Sequence, residues 1–295
     1  METLWQDLRY GLRMLIKNPG LTFVAVLSLS LGIGANSAIF SLVDALLLRP
    51  LPVEKPEQLV AITTSDYHGT YPHGLSYPDF VDYRDRAEAF SGVIAFSPLP
   101  LNLRSGEQNE RVWGIMASGN YFDVLGVRAV VGRTFLPEED KTAGTHPVAV
   151  VSYSFWQRKM GSDPNLSGKT LVINGHNFNV IGVAPKNFNG LEVIFSPDVW
   201  VTTSMHNEAV PGSTNFLEQR DDHSLRVWAR LKPGAGFQQA QASLDIQAKQ
   251  LESAYPATNK GVKILLYKEW EARFEPGTGK VLAIGSGMLI AVVGK

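Results

Sequence analysis

The chain has 295 residues, no cysteine and a formal net charge of −1. The length leaves room for more than one domain, and the missing cysteines exclude disulfides, zinc–thiolate sites and cysteine nucleophiles together. A balanced charge without basic clusters carries no nucleic-acid footprint, while 44% hydrophobic residues describe a soluble protein with a small membrane part. A large extracytoplasmic domain free of cysteine is ordinary in bacteria and less expected in an animal secreted protein, so the compartment leans bacterial.

From Glu2 to Lys17, the residues Leu4, Trp5, Leu8, Leu12, Leu15 and Ile16 recur near helical spacing, opposite Asp7, Arg9, Arg13 and Lys17. Trp and Leu facing away from Arg and Lys predict a helix lying in a membrane interface over residues 1–20. The other reading is an amphipathic helix packed on protein. Asn18-Pro19-Gly20 is expected to break the chain before it turns into the bilayer.

Between Lys17 and Asp44 there is no charged residue. The apolar stretch 21–48 exceeds the roughly 20 residues needed to cross a ~30 Å hydrocarbon layer, and a helix is the single-segment structure that pairs its own backbone there. One transmembrane helix is therefore predicted. Gly32, Gly34 and Ala35, with Ser28, Ser30, Ser37 and Ser41 around them, would let other transmembrane helices or a second copy approach closely; ordinary membrane-helix composition explains them equally well. A signal peptide is a rival reading, with Ala35-Asn36-Ser37-Ala38 as a loose cleavage site. Secretory apolar cores run about 7–15 residues, however, and this one continues through Ile39, Phe40, Leu42 and Val43. A buried helix of a soluble core would rarely stay uncharged so long. Arg9, Arg13 and Lys17 place the N-terminus in the cytoplasm; Arg49 and Lys55 pull weakly the other way.

Arg49-Pro50-Leu51-Pro52 is a stiff exit into a polar, aromatic-dotted domain spanning 49–279. Val60 to Thr64 reads as a strand. Ser76-Tyr77-Pro78-Asp79 opens a helix with a capping hydroxyl, an early proline and an early acid. That helix is expected to reach about Phe90, with Phe80, Tyr83 and Ala87 inward. Glu110 to Met116 and Val148 to Val151 are strands, and Ser152 to Met160 a short helix. Leu171 to Ile173, Asn174-Gly175 and the alternating Phe178, Val180 and Gly182 form a hairpin with a type I′ turn. Asp198 to Val201 is another strand. Leu225, Val227, Ala229 and Leu231 alternate on one face of a further strand. Phe237, Ala240, Leu244, Ala248, Leu251 and Tyr255 mark one side of a helix closed by Pro256, and Val262 to Tyr267 is a last strand.

The fold class expected is α+β. Strands with one good helix at 51–95 and again at 224–268 predict an α/β subdomain made from both ends. The β-rich part between them, about 105–220, is expected as an inserted subdomain. Val227 should then share a sheet with Ala61, and Leu244 and Leu251 should pack against it. Val281 to Val293 is apolar and uncharged but short; residues 281–295 read as the start of a second transmembrane helix, and the chain as a fragment or an abbreviated product.

Catalytic signals are weak. Gly168-Lys169-Thr170 ends like a phosphate-binding loop, but Asp163 occupies the position of its first glycine and the motif runs into a strand. Gly277-Thr278-Gly279-Lys280 fails similarly at Val281. Histidines 68, 73, 146, 176, 206 and 223 are scattered without i, i+4 pairs, and are expected on the surface and in loops. No Gly-x-Ser-x-Gly elbow occurs. Glu138-Glu139-Asp140 and Asp221-Asp222 read as solvated loop acids. Asn165-Leu166-Ser167 is a formal glycosylation sequon without meaning in a bacterium. No catalytic, cofactor-binding or metal-ligating residue is expected.

Several phrases recur in order: Asp7-Leu8-Arg9-Tyr10-Gly11-Leu12-Arg13 with Asn18-Pro19-Gly20, Gly32-Ile33-Gly34-Ala35-Asn36, and Tyr77-Pro78-Asp79-Phe80. Further on stand Ser118-Gly119-Asn120-Tyr121-Phe122 through Gly126, Gly132-Arg133-Thr134-Phe135, and Val148-Ala149-Val150-Val151-Ser152. Gly168-Lys169, Phe178-Asn179-Val180-Ile181-Gly182-Val183 and Ala229-Arg230-Leu231-Lys232-Pro233-Gly234 complete the set. Together they resemble the MacB/FtsX-like ABC-transporter permeases, over nearly the whole chain. The resemblance implies one transmembrane helix, a periplasmic α+β domain of two subdomains, and further helices that this sequence does not carry. It also implies no ATPase chemistry of its own, but a separate nucleotide-binding subunit in trans. The leading expectation is thus a noncatalytic permease subunit or fragment, for export or mechanotransmission, in a bacterial inner membrane. A membrane-anchored periplasmic binding or scaffold protein without ATP coupling is the alternative, and an anchored hydrolase ranks last.

Overall fold

The computed structural model describes residues 2–43, 51–65, 72–86, 88–105, 108–192, 196–212 and 215–272. Two compact units divide at Arg49 and Pro50. The first contains α1 (Glu2–Lys17) and α2 (Pro19–Val43). Only Asn18 separates them, so the expected break is a single residue: Pro19 opens α2 and Gly20 lies inside it. Proline at a first helical position is favoured, because its missing N–H has no helical partner to lose there. The carbonyl that this N–H would have bonded, Leu15 O, is taken instead by the Thr22 hydroxyl at 2.6 Å. The 25 residues of α2 reach about 37 Å at ~1.5 Å per residue. Residues 44–48 of the predicted span lie outside the described residues, as do 281–295.

The second unit contains β1 (Leu59–Ser65), β2 (Pro72–His73), α3 (Tyr77–Arg86), β3 (Phe90–Ser105), β4 (Gln108–Ala117), α4 (Tyr121–Leu125) and β5 (Val131–Gly132). Then follow β6 (Val148–Val151), α5 (Tyr153–Met160), β7 (Thr170–Ile173), β8 (His176–Val183), β9 (Val199–Thr202) and α6 (His206–Ala209). The chain closes with β10 (Arg226–Leu231), α7 (Phe237–Ala254), α8 (Pro256–Asn259), β11 (Lys263–Lys268) and α9 (Glu269–Ala272).

Among the described residues all these strands belong to one sheet, ordered β11-β1-β10-β3-β4-β9-β6-β8-β5, with β2 on β1 and β7 bridging β3 and β8. As expected, Val227 lies in the sheet with Ala61: Ile62 pairs Val227 and Ala61 pairs Trp228. β3 is common to the regions read as separate subdomains. Its first half pairs β10 from Phe90 to Phe96, and its end pairs β7 at Leu103 and Arg104. Through β7 the strands β3, β4, β9, β6 and β8 close into a ring of pairings, and that ring holds the Asn174-Gly175 hairpin. Asn174 and Gly175 have φ of 48° and 90°, as a type I′ turn requires.

Two expectations fail here. The helix opened by Ser76 stops at Arg86 instead of reaching Phe90, which begins β3. Ser76 Oγ accepts the Asp79 N–H at 3.2 Å, the predicted cap. The whole of β3 was also unforeseen, because Pro98 and Pro100 lie inside it. Both stand where β3 is paired on one side only, with β4, beyond the end of its β10 pairing and before β7. A proline there forfeits no ladder bond.

The sheet is covered on both faces. Strand alternation sends Val60, Ile62, Val227, Ala229, Ile264 and Leu266 to one core with Phe80, Tyr83, Phe155, Leu244 and Leu251. Leu59, Ala61, Ile94, Ile115, Trp200 and Trp228 go to a second core with Tyr121, Phe122, Phe135 and Phe188. Burial on both faces is why Val148 to Val151 is apolar without interruption.

Candidate functional site

α2 is where the sequence speaks most directly, and its side chains set aside one competing reading, the buried helix of a soluble core. Leu21, Phe23, Val24, Val26, Leu27, Leu29, Leu31, Ile33 and Phe40 are all exposed, and none of the window Pro19–Ala38 is buried inside the protein. A core helix of a soluble protein would be covered. The helix also runs unbroken past Ala38 to Val43, beyond the candidate cleavage site. On α1, Trp5, Tyr10, Met14, Leu15 and Ile16 are exposed along with Arg9, Arg13 and Lys17.

The segment entering the second unit is fixed tightly. Leu51 is buried and Val53 packs with it on the second core. The Glu54 N–H donates to Leu125 O at 2.9 Å. Arg230, reaching from β10, donates to three carbonyls: Nε to Val124 O at 2.7 Å, Nη1 to Lys55 O at 3.1 Å and Nη2 to Glu54 O at 2.5 Å. Burial lowers the Arg230 pKa, opposed by Glu54 and Glu57. Gly126 has φ of +70° beside this clamp, and a Cβ there would collide with the Glu54 side chain. One arginine thereby ties the entry segment and the end of α4 to a strand inside the sheet.

The exit lies at the same pole. β11 runs antiparallel to β1 with Lys268 opposite Val60, so the chain leaves the sheet beside the place where it enters. α9 follows at once, with Ala272 and Tyr267 packed on the same core as Leu51.

Of the two motifs that resemble a phosphate-binding loop, Gly277-Thr278-Gly279-Lys280 lies outside the described residues. Gly168-Lys169-Thr170 is a turn into β7, with Gly168 at φ +71° and Lys169 Nζ on the Asp163 carboxylate at 3.0 Å. No group of three His, Asp or Glu side chains suited to a metal occurs among the described residues. His68 lies outside them. His73, His146, His176 and His223 are scattered, but His206 departs from the surface expectation. It is buried and stacks on Phe216 with centroids 3.8 Å apart; burial lowers its pKa, so it stands neutral at pH 7.

The acidic run is the larger correction. Glu139 and Asp140 are buried at 6% and 5% exposure. They are not solvated, because each serves unpaired donors of irregular chain. Asp140 accepts from the Gly119 N–H at 3.0 Å, the Ser204 N–H at 2.7 Å and the Thr203 hydroxyl. Glu139 accepts from the Arg133 guanidinium at 2.6 Å and the Leu136 N–H at 2.9 Å. A third polar knot was also missed. Arg220 bonds Asp79 and Asp82, both at 2.6 Å, and stacks over the Tyr255 ring at 3.5 Å. The first two hold backbone together, and the third ties the Asp79 and Asp82 carboxylates of α3 to the Tyr255 ring through Arg220. Arg226, Trp228 and Arg230 alternate on the face of β10 opposite Val227, but no local pattern marks Arg230 as a clamp, because its carbonyl partners at Glu54, Lys55 and Val124 are remote in sequence.

The sequence profile of the MacB-like periplasmic core domain covers residues 22–246. The chain belongs to the MacB/FtsX-like family of ABC-transporter permeases. No curated protein matches it. Solved structures share its fold. The periplasmic region of MacB from Actinobacillus actinomycetemcomitans has a TM-score of 0.52 at 14% identity, over 74% of this chain and 90% of that one. A domain of a putative permease protein from Porphyromonas gingivalis gives 0.51 at 14%, over 73% and 90%. The extracellular domain of the noncanonic ABC-type transporter YknZ from Gram-positive bacteria gives 0.50 at 15%, over 70% and 99%. The chain is thus a MacB-like periplasmic core domain behind an N-terminal apolar helix, in a family of permease components that are generally noncatalytic.

Proposed function

We propose that this MacB/FtsX-like chain is a noncatalytic permease subunit, or part of one, that couples a separate ATPase to a periplasmic domain for export or mechanotransmission. Its N-terminus lies in the cytoplasm of a bacterial inner membrane and the unit from residue 50 lies in the periplasm. The observation that carries this reading is the register of β11 on β1, which sets Lys268 beside Val60. A domain held at one pole by membrane segments on either side receives their displacement there. The Arg230 clamp supports the same reading, since it passes a pull on residues 54 and 55 into β10 without slack. The region of about 105–220 would then act as the distal subdomain, joined to the rest through β3.

Affinity purification of the full chain from its native membrane tests the coupling. The expected result is retention of an ATP-hydrolysing subunit, with no nucleotide bound by the chain alone. Recovery without an ATPase would leave a membrane-anchored scaffold. Reporter fusions at Gly106 and Gly212 test the orientation, and both should behave as periplasmic.

A further inference from the structure

Trp270 is 48% exposed at the pole where the chain enters and leaves the sheet. It stands in α9 between residues turned the other way. Glu269 is buried, and Ala272, one helical turn on, packs on the second core. Helical spacing therefore leaves Trp270 on the outer side of α9. Around it the entry segment exposes Pro52, Glu54, Lys55 and Glu57, and Lys268 is exposed at the end of β11. Lysines and glutamates nearly balance, so the patch has no charge that selects an anionic partner.

Chain length limits how far this pole can stand from the bilayer that α2 would cross. Leu51, the first buried residue of the core, lies eight residues after Val43, the end of α2. Eight residues span at most about 28 Å when fully extended, so the pole is on a short tether to whatever α2 crosses. On the other side, eight residues after Ala272 lead to the uncharged run Val281 to Val293. Tryptophan prefers the boundary between lipid headgroups and acyl chains, where its ring is in an apolar layer and its N–H is hydrated. We propose that Trp270 seats in the headgroup–acyl boundary of the bilayer crossed by α2, and braces the pole against the lipid surface. This goes beyond the permease reading and needs only the membrane anchor, so failure to find an ATPase leaves it standing.

The test uses the full chain in nanodiscs of phosphatidylcholine, a zwitterionic lipid matched to the balanced patch. Trp5 is itself exposed on α1, so Trp5→Phe serves as the background. Lipids brominated near the top of their acyl chains should quench emission in Trp5→Phe, and most of that quenching should vanish in Trp5→Phe/Trp270→Phe. Aqueous iodide should quench both variants alike, the exposed Trp113 being common to them. Raising the salt from ~0.1 M to ~1 M should leave the bromolipid effect in place, since no charge pair is being screened. Equal bromolipid quenching in the two variants overturns the proposal. So does iodide quenching that falls when Trp270 is replaced, because either result puts Trp270 in water.

Discussion

The two faces of the sheet are closed by different means. On one, strand residues such as Ile62, Val227 and Leu266 lie under α3, α5 and α7, whose own apolar positions recur at helical spacing. On the other, apart from the short α4, the cover is mostly irregular chain, and aromatic rings do the filling. Phe122 has Tyr121 and Phe135 at 5.4 Å, Trp200 at 5.8 Å and Phe188 at 5.9 Å between centroids. A helix satisfies its own backbone, whereas irregular chain must find partners for every buried N–H and C=O. At the second face Arg230 accordingly spends its polar atoms on backbone, Glu139 accepts the Leu136 N–H beside Phe135, and Asp140 binds the Gly119 and Ser204 N–H groups where irregular chain meets α3. To the apolar stripe of a regular cover, an irregular one adds packed rings and side chains that bind backbone.

The sharpest way to break this contrast is to remove the ring at the hub of the second face. Phe122→Ala should lower stability by about 3–5 kcal/mol, the range for large buried aromatics. Leu244→Ala under α7 should cost about 2–4 kcal/mol, because its neighbours on a regular helix can partly collapse into the gap. Urea unfolding of both variants of the full chain in detergent checks the order. A larger loss from Leu244→Ala would mean that the aromatic cluster is filler and the helical face carries the fold.

Next in size is the knot at Asp140. Asp140→Ala strands the Gly119 and Ser204 N–H groups and the Thr203 hydroxyl, and a buried unpaired donor costs about 1–3 kcal/mol. We expect a total near 3 kcal/mol by the same measurement, since water entering the gap recovers part of it. A loss below about 0.5 kcal/mol, the size of an ordinary surface substitution, would show that the irregular cover does not depend on this carboxylate.

Legibility in the sequence follows the same division. α2, α7, the Asn174-Gly175 hairpin and the alternation of β10 were readable because each pattern is local: an uncharged run, a period of 3.6, a turn dipeptide, a period of two. The knots were not readable because their partners are remote. Asp140 meets Thr203 across 63 positions, and Arg230 meets Glu54 across 176. An acidic run read by itself looks like a solvated loop. β3 was missed for a further reason: its prolines forbid a central strand in general, and only the topology reveals that one side of it is free at those two residues.

A smaller effect concerns the edge beside α7. β11 ends the sheet order, and its outer side would offer free backbone groups to another strand. Gln241 of α7 occupies that side: its amide donates to Ile264 O at 3.0 Å and accepts the Leu266 N–H at 2.9 Å. Gln241→Ala should cost about 1 kcal/mol for the two exchanged bonds, and it opens the edge to pairing. Light scattering of the full chain should then detect self-association absent from the parent. A monodisperse variant of unchanged mass would show that α7 shields the edge by bulk alone.

The smallest expected effect separates the neighbouring acids Glu139 and Asp140 by the sign of their pH dependence. At Glu139 burial acts upward, but the Arg133 and Leu136 bonds prevail and hold its pKa below the ordinary 4.5. Its contribution is therefore complete above pH 4.5 and is lost as the pH falls through the lowered folded value. At Asp140 burial wins over the bonds from Thr203, Ser204 and Gly119 and raises the pKa above 3.8. The folded state then binds a proton more readily than the unfolded one, so acidification through that window favours folding at this residue. The gap in stability between the parent and Glu139→Gln should close as the pH is lowered from neutral, while the gap to Asp140→Asn should widen. Arg133 is 46% exposed in its pair with Glu139, so solvent screening keeps the first change to about 1 kcal/mol or less. Urea midpoints at a series of pH values read both slopes. Parallel slopes would mean that the two carboxylates share one environment, against the separate partners that the fold assigns them.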